Sequence, residues 1–250
     1  MKKVIFVLIL LINSIVFSQD LRYDIGIISG ATSMQTDYGE RGHFGSSYAN
    51  MGFGIGGVYY ISYDYLRIKW NDRTTHLKDH LRLRLELSYM KTNLIHRGKY
   101  TEGNPSFTEL YNAMKGTSTI LNYGLQFEYT LFNMSAEKRF SPYVSVGFLG
   151  NSNTPKLEST IGNIETNPNL IPSVYDNGVF LEKNSSTALI LGVGARFKPK
   201  DYYNKSIYLI DFRWQRFNSD NIDGLSPKIN ANKFNDWLLF FSIGYIYNLN

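Results

Sequence analysis

The stretch His80 to Thr92 reads HLRLRLELSYMKT. Leu81, Leu83, Leu85, Leu87 and Tyr89 fall on one side of an extended chain, and Arg82, Arg84, Glu86, Ser88 and Met90 on the other. A period of two is that of a strand with one face in an apolar medium. The opposite face carries Arg, Arg and Glu in succession, so either water or a sealed ionic interior must take those charges.

The same period recurs along the chain. Arg22 to Gly30 sets Tyr23, Ile25 and Ile27 against Asp24, Gly26 and Ile28. Met51 to Tyr63 sets Phe53, Ile55, Tyr59, Ile61 and Tyr63 against a row that begins Gly52, Gly54, Gly56. Gly52-Phe53-Gly54 resembles half of a dinucleotide fingerprint, but no helical pattern follows it. The opening strand runs to about Arg97. Thr119 to Leu131, Tyr143 to Leu149, Thr187 to Phe197, Ile207 to Phe217 and Trp237 to Leu249 complete a count of eight expected strands. The connection Gly98 to Gly116 holds a short expected helix, Pro105 to Met114, in which Ser106 and Glu109 have capping-box spacing. Gly150 to Ser186, with its Pro, Asn and Ser residues, reads as the longest surface loop.

Eight antiparallel strands with no helical layer predict an all-β, up-and-down barrel. In a soluble lipocalin-type barrel the apolar face points inward; in an outer-membrane barrel it points to lipid and the polar face lines the lumen. Three features favour the membrane form. The loops after strands one, three, five and seven are long and those after four and six short, although the one after strand two, Asp64 to Asp79, is intermediate. The polar face is rich in glycine (Gly26, Gly52, Gly54, Gly56, Gly124, Gly147, Gly192, Gly194, Gly244), as a narrow interior requires and a wetted face does not. The charges on that face balance: Asp24, Glu86, Glu128 and Asp211 against Arg82, Arg84, Arg196 and Arg213. The expectation is a transmembrane barrel whose polar lumen is plugged by this network. Tyr59, Tyr63, Tyr89, Tyr129, Trp214, Trp237, Tyr245 and Tyr247 fall outward, as an interfacial girdle would.

Composition agrees with export. Met1-Lys2-Lys3, the apolar run from Val4 and the small or polar residues to Gln19 match a secretory signal peptide, so residues 1–19 are the expected signal and 20–250 the barrel. Loss of Lys2 and Lys3 leaves 24 Lys and Arg against 21 acids, a net charge of +3, too mild to predict nucleic-acid binding. There is no Cys, which excludes disulfides, thiolate chemistry and lipoprotein acylation.

Candidate chemistry is sparse. His76 and His80 have helix-type ligand spacing but straddle a turn and a strand start, without the Glu of a zinc protease. No nucleophile elbow or triad stands out. Asp201, Asp220 and Asp223 read as solvated loop carboxylates. Glu86 and Glu128 read as structural charges rather than an acid/base pair, because a reactive site needs substrate access. No enzyme, cofactor or metal is expected.

Several short motifs carry a resemblance: Tyr23-Asp24-Ile25-Gly26, Phe140-Ser141-Pro142-Tyr143, Gly192-Val193-Gly194-Ala195-Arg196-Phe197, Asp223-Gly224-Leu225, Asn235-Asp236-Trp237 and Gly244-Tyr245-Ile246-Tyr247. With them the chain resembles a Bacteroidota outer-membrane barrel family similar to PorG of the type IX secretion and gliding machinery. It is closer still to a flavobacterial relative with the same ends and a similar Gly52-Phe53-Gly54-Ile55-Gly56 strand. The resemblance implies an eight-stranded barrel in the cell outer membrane and a role anchoring a periplasmic ring; it brings no catalytic residues. One departure is the ending Leu249-Asn250, where many such barrels end on an aromatic residue.

The expected function is that of a non-enzymatic structural barrel in secretion or envelope assembly, with outer-membrane lipid and periplasmic ring proteins as partners. The alternatives are a surface adhesion or ligand-binding barrel acting through its external loops, a soluble lipocalin-like barrel and a lipid-modifying barrel enzyme. Gly150 to Ser186 and Asp64 to Asp79 are the expected contact segments, at opposite ends.

Overall fold

Every strand of the computed structural model runs for 12 residues or more. The strands are β1 (Leu21–Gln35), β2 (Met51–Tyr63), β3 (Leu81–Ile95), β4 (Met114–Thr130), β5 (Phe140–Ser159), β6 (Asn184–Phe197), β7 (Ser206–Phe217) and β8 (Trp237–Asn248). The structure describes residues 21–40, 42–63, 80–99, 101–132, 139–175, 178–200, 205–227 and 235–249. The expected signal segment, the connection Asp64 to Asp79 with His76, and Asp201 lie outside them.

Each strand pairs antiparallel with its neighbours in the chain, and β1 closes against β8. Paired residues lead from Ile25 through Tyr59, Leu85, Leu125, Phe148, Leu189, Arg216 and Trp237 to Gln35, ten residues along the strand on which the circuit began. Eight strands with that stagger tilt strongly and enclose a space that side chains can fill.

The barrel is inside out relative to a soluble one. Ile27 is 65% exposed and Ile243 62%, and Leu87, Phe148 and Val193 are also on the open outer face. Arg84, Gln126, Glu128, Arg196 and Asp211 are fully buried on the inner face. In β3 the leucines and the Arg-Arg-Glu run separate as their period of two dictates.

The long connections after β1, β3, β5 and β7 share one end. They carry two short helices, α1 (Phe44–Ala49) and α2 (Pro105–Ala113). α2 starts one residue before Ser106, and Thr108 N–H donates to the Asn104 carbonyl at 3.2 Å, so the Ser106/Glu109 spacing falls inside the helix rather than at its cap.

Strand bounds differ most at this end. β1 continues past Gly30 to Gln35, β4 begins at Met114, and β5 spans Phe140–Ser159 where Tyr143 to Leu149 was expected. Residues 150–159 are therefore strand, not the start of a loop. Their alternation is hidden because both faces are polar: Asn151 and Asn153 turn inward, while Ser152 and Thr154 turn outward. Pro155 is accommodated opposite Ser118, and Asn153 Nδ2 donates to the Ile222 carbonyl at 3.3 Å.

Candidate functional site

Two clusters of polar side chains stand out, one in the lumen and one under the long loops. In the lumen Arg84 is the hub. Its Nη2 donates to Glu86 Oε2 at 2.8 Å, and its Nη1 to Asp211 Oδ2 at 3.0 Å and Glu128 Oε1 at 3.3 Å. Arg213 donates to Glu86 Oε2 at 2.5 Å and meets Asp211 at 3.1 Å, and Arg196 pairs with the other oxygen of Glu128. Three guanidinium groups and three carboxylates thus form one neutral knot. Tyr143 OH donates to Asp211 Oδ1 at 2.9 Å and Gln126 Nε2 to Glu86 Oε2 at 3.1 Å.

Asp24 and Arg82 form a second, looser group. Arg82 lies 3.8 Å from Asp24, which also accepts from Arg22 at 3.0 Å and from Asn248 Nδ2 at 2.7 Å. All eight residues of the inner-face charge set are buried, six in the knot and two in this group.

Rings pack against these guanidinium groups. Arg196 lies 4.6 Å from the Tyr143 ring and 5.0 Å from that of Tyr60, and Arg213 lies 4.8 Å from the Phe240 ring. Inner glycines make the room: a Cβ at Gly194 would strike the Tyr143 phenol, and one at Gly54 would come within 2.9 Å of the Phe240 ring. Tyr60, Tyr143 and Phe240 are inner-face members that charge pattern alone does not single out.

The second cluster joins all four long loops. His96, buried after β3, stacks on Tyr38 at 4.8 Å and meets Tyr111 edge-on at 5.2 Å. Its Nδ1 accepts the Gly39 N–H at 3.1 Å, which places the proton of the neutral ring on Nε2. Tyr175 OH donates to the Asp37 carbonyl at 3.0 Å. Asp223 accepts from Asp37 N–H at 3.0 Å and Leu225 N–H at 2.8 Å, and Phe180 N–H donates to the Gly224 carbonyl at 2.8 Å. From the wall, Ser118 Oγ donates to the Ile222 carbonyl at 2.7 Å.

Asp223 is completely buried, which corrects its reading as a solvated carboxylate. Only its bonding across loops, which sequence spacing does not show, reveals that role. Burial raises its pKa to about 7 against the opposing pull of its hydrogen bonds. Burial lowers His96 to about 3 and holds the Tyr38 phenol well above its ordinary value. The quoted motifs acquire a local reason here: Gly224 adopts φ +88°, and Asp236 accepts from Ile222 N–H at 3.0 Å.

Chemistry is harder to place. Among the described residues no group of three His, Cys, Asp or Glu side chains is gathered to hold a metal ion. His80 instead contacts the Thr130 carbonyl through Nδ1 and stacks on Tyr129 at 5.5 Å.

No protein-family model matches the chain, and no curated protein matches it in sequence. Solved structures similar to this chain include outer-membrane proteins. Ail, the attachment invasion locus protein of Yersinia pestis, is 12% identical with a TM-score of 0.45, covering 92% of this chain and 100% of its own. Neisserial surface protein A is 10% identical at 0.43, covering 90% and 96%. A major outer membrane protein from Thermus thermophilus is 13% identical at 0.49, covering 92% and 99%.

Proposed function

We propose that this chain is an outer-membrane β-barrel that crosses lipid with its eight strands, is plugged by its ion-pair knot, and works through its two ends rather than by catalysing a reaction. The observation that carries this is the reversed polarity of the wall: large apolar side chains outside, paired charges inside. In water such an exterior would be a very large exposed apolar patch, whereas in lipid it is satisfied. Strands of 12 residues or more exceed the roughly 9–11 that a tilted strand needs to cross the hydrocarbon. The signal-like start and the family resemblance support the outer membrane as the destination.

Within that reading, a structural anchoring role in protein secretion or envelope assembly is supported by the motif resemblance, with periplasmic ring proteins docking at the end that carries the termini. A second reading, adhesion or ligand binding at the surface, is favoured by the cap, where four loops are cross-linked into one ordered unit.

Fractionation tests the membrane reading. The protein should enter the outer-membrane fraction and run differently on gels when unboiled; recovery in the periplasmic soluble fraction would overturn it. Deletion of residues 161–183 separates the two roles. Secretion should survive it and surface binding should not.

A further inference from the structure

The first long loop folds against the outside of the barrel as well as over its mouth. On β1, Thr32 and Met34 are buried, while Ser33 and Gln35 face outward. Ser33 Oγ donates to the Ser47 carbonyl at 2.8 Å, Gln35 Nε2 donates to Ser47 Oγ, and Gln35 Oε1 accepts from Gly42 N–H at 3.0 Å. One edge of α1 is thus tied to two outward side chains of the wall.

The other edge is held by the cap. Ser46 is buried and its Oγ donates to the Arg97 carbonyl at 3.2 Å. Asn50, just after the helix, accepts from Ile95 N–H and donates to the Tyr38 carbonyl, both at 2.8 Å. With both edges fixed, the remaining face presents Phe44, 84% exposed, and Tyr48, 70% exposed. Four residues apart on a helix, the two rings share one side.

The wall beside the helix is the rim of the apolar belt. Gln35 pairs with Trp237, Ser33 pairs with Leu239 on one flank and Met51 on the other, and Phe53 continues the outer face of β2. The exposed rings therefore extend the surface that the strands already offer to lipid.

We propose that α1 is a membrane foot, with Phe44 and Tyr48 seated at the headgroup–acyl boundary of the same lipid that surrounds β1, β2 and β8. This rests on the reading of the outer face as lipid-facing. An apolar ring with a polar tip, as in Tyr48, suits that depth. A protein partner fits less well: two rings bury roughly 150–250 Å² each, against about 800 Å² per side in a standard stable interface. The foot would fix how deeply the first loop, and the cap bonded to it, rides in the leaflet.

The chain has no cysteine, so single introduced cysteines report alone. Phe44→Cys and Tyr48→Cys, each carrying a nitroxide, are compared in phosphatidylcholine–phosphatidylglycerol vesicles with Ile243→Cys on the belt and Glu102→Cys on an exposed loop. Heat-modifiable gel mobility confirms that each is folded. The ratio of oxygen to nickel-chelate accessibility at 44 and 48 should be several-fold above that at 102 and approach that at 243. A ratio at 44 and 48 equal to that at 102, with 243 still lipid-like, overturns the foot alone. Labels at 44 and 48 immobile and shielded from both reagents would mean that protein covers α1, and also overturn it. A water-like ratio at 243 overturns the membrane reading itself.

Discussion

Arg84 Nη1 lies 3.0 Å from Asp211 Oδ2, joining β3 to β7 across the lumen between residues 127 positions apart. The same guanidinium holds Glu86 and Glu128, so its removal would leave three buried carboxylates short of a cation. Arg84→Ala should destabilise the folded barrel by about 3–5 kcal/mol, the cost of breaking a buried ion pair on one side. Urea titration followed by gel mobility measures it; a loss below about 1 kcal/mol, the range of an exposed pair, would show that the knot is wetted.

The pair Glu128 and Arg196 allows a matched comparison. Glu128→Gln with Arg196→Met should cost less together than Arg196→Met alone, because the double substitution leaves no unpaired charge in a site with no exposure. A double-mutant cycle reads the difference directly, and simple additivity would count against coupling.

The strand pattern and the eight charged members of the inner face are plain in the residues, whereas the pairings within the knot are not. Alternation separates Leu85 from Arg84 and Glu86, and closure of eight such strands follows from their number and from the connections. Which carboxylate meets Arg84 depends on the ten-residue stagger of the barrel, which no local window contains. The cap is hidden in the sequence for a different reason. His96, Asp223 and Tyr175 sit in separate loops and gain their roles only from tertiary bonds such as Gly39 N–H to His96 Nδ1. The expected β5 stops at Leu149 because beyond the belt both faces of the strand turn polar, which removes the contrast that a period of two needs.

The cap should answer to pH in two opposed ways. His96 is held neutral, with a pKa of about 3 in the folded protein, so its contribution is present above about 6.5 and is lost as pH falls toward 3. Asp223, raised to about 7, contributes below about 3.9 and loses that contribution as pH rises through 7. In Asp223→Asn, protection of the Gly39 amide should therefore rise from about pH 4 to about 6.5; in His96→Gln, protection of the Leu225 amide should fall over the same range. Hydrogen exchange measures both. Identical profiles in the two variants would remove these groups from the pH response.

A plugged lumen predicts no steady conductance. Arg84, Arg196 and Tyr143 are buried on the inner face, and an eight-stranded barrel leaves an interior that such side chains can fill. Purified protein in planar bilayers should leave the baseline flat, and large, stable openings would contradict the plug.

The most direct test is of which face meets lipid. Single cysteines placed one at a time from Leu239 to Ile246 in β8 can be labelled with nitroxide in vesicles, with no native cysteine to interfere. Labels at 239, 241, 243 and 245 should be open to oxygen and closed to the aqueous nickel chelate, and labels at 240, 242, 244 and 246 closed to both. Equal access of the nickel chelate to positions 241 and 243 would contradict a lipid-facing wall and return the barrel to water.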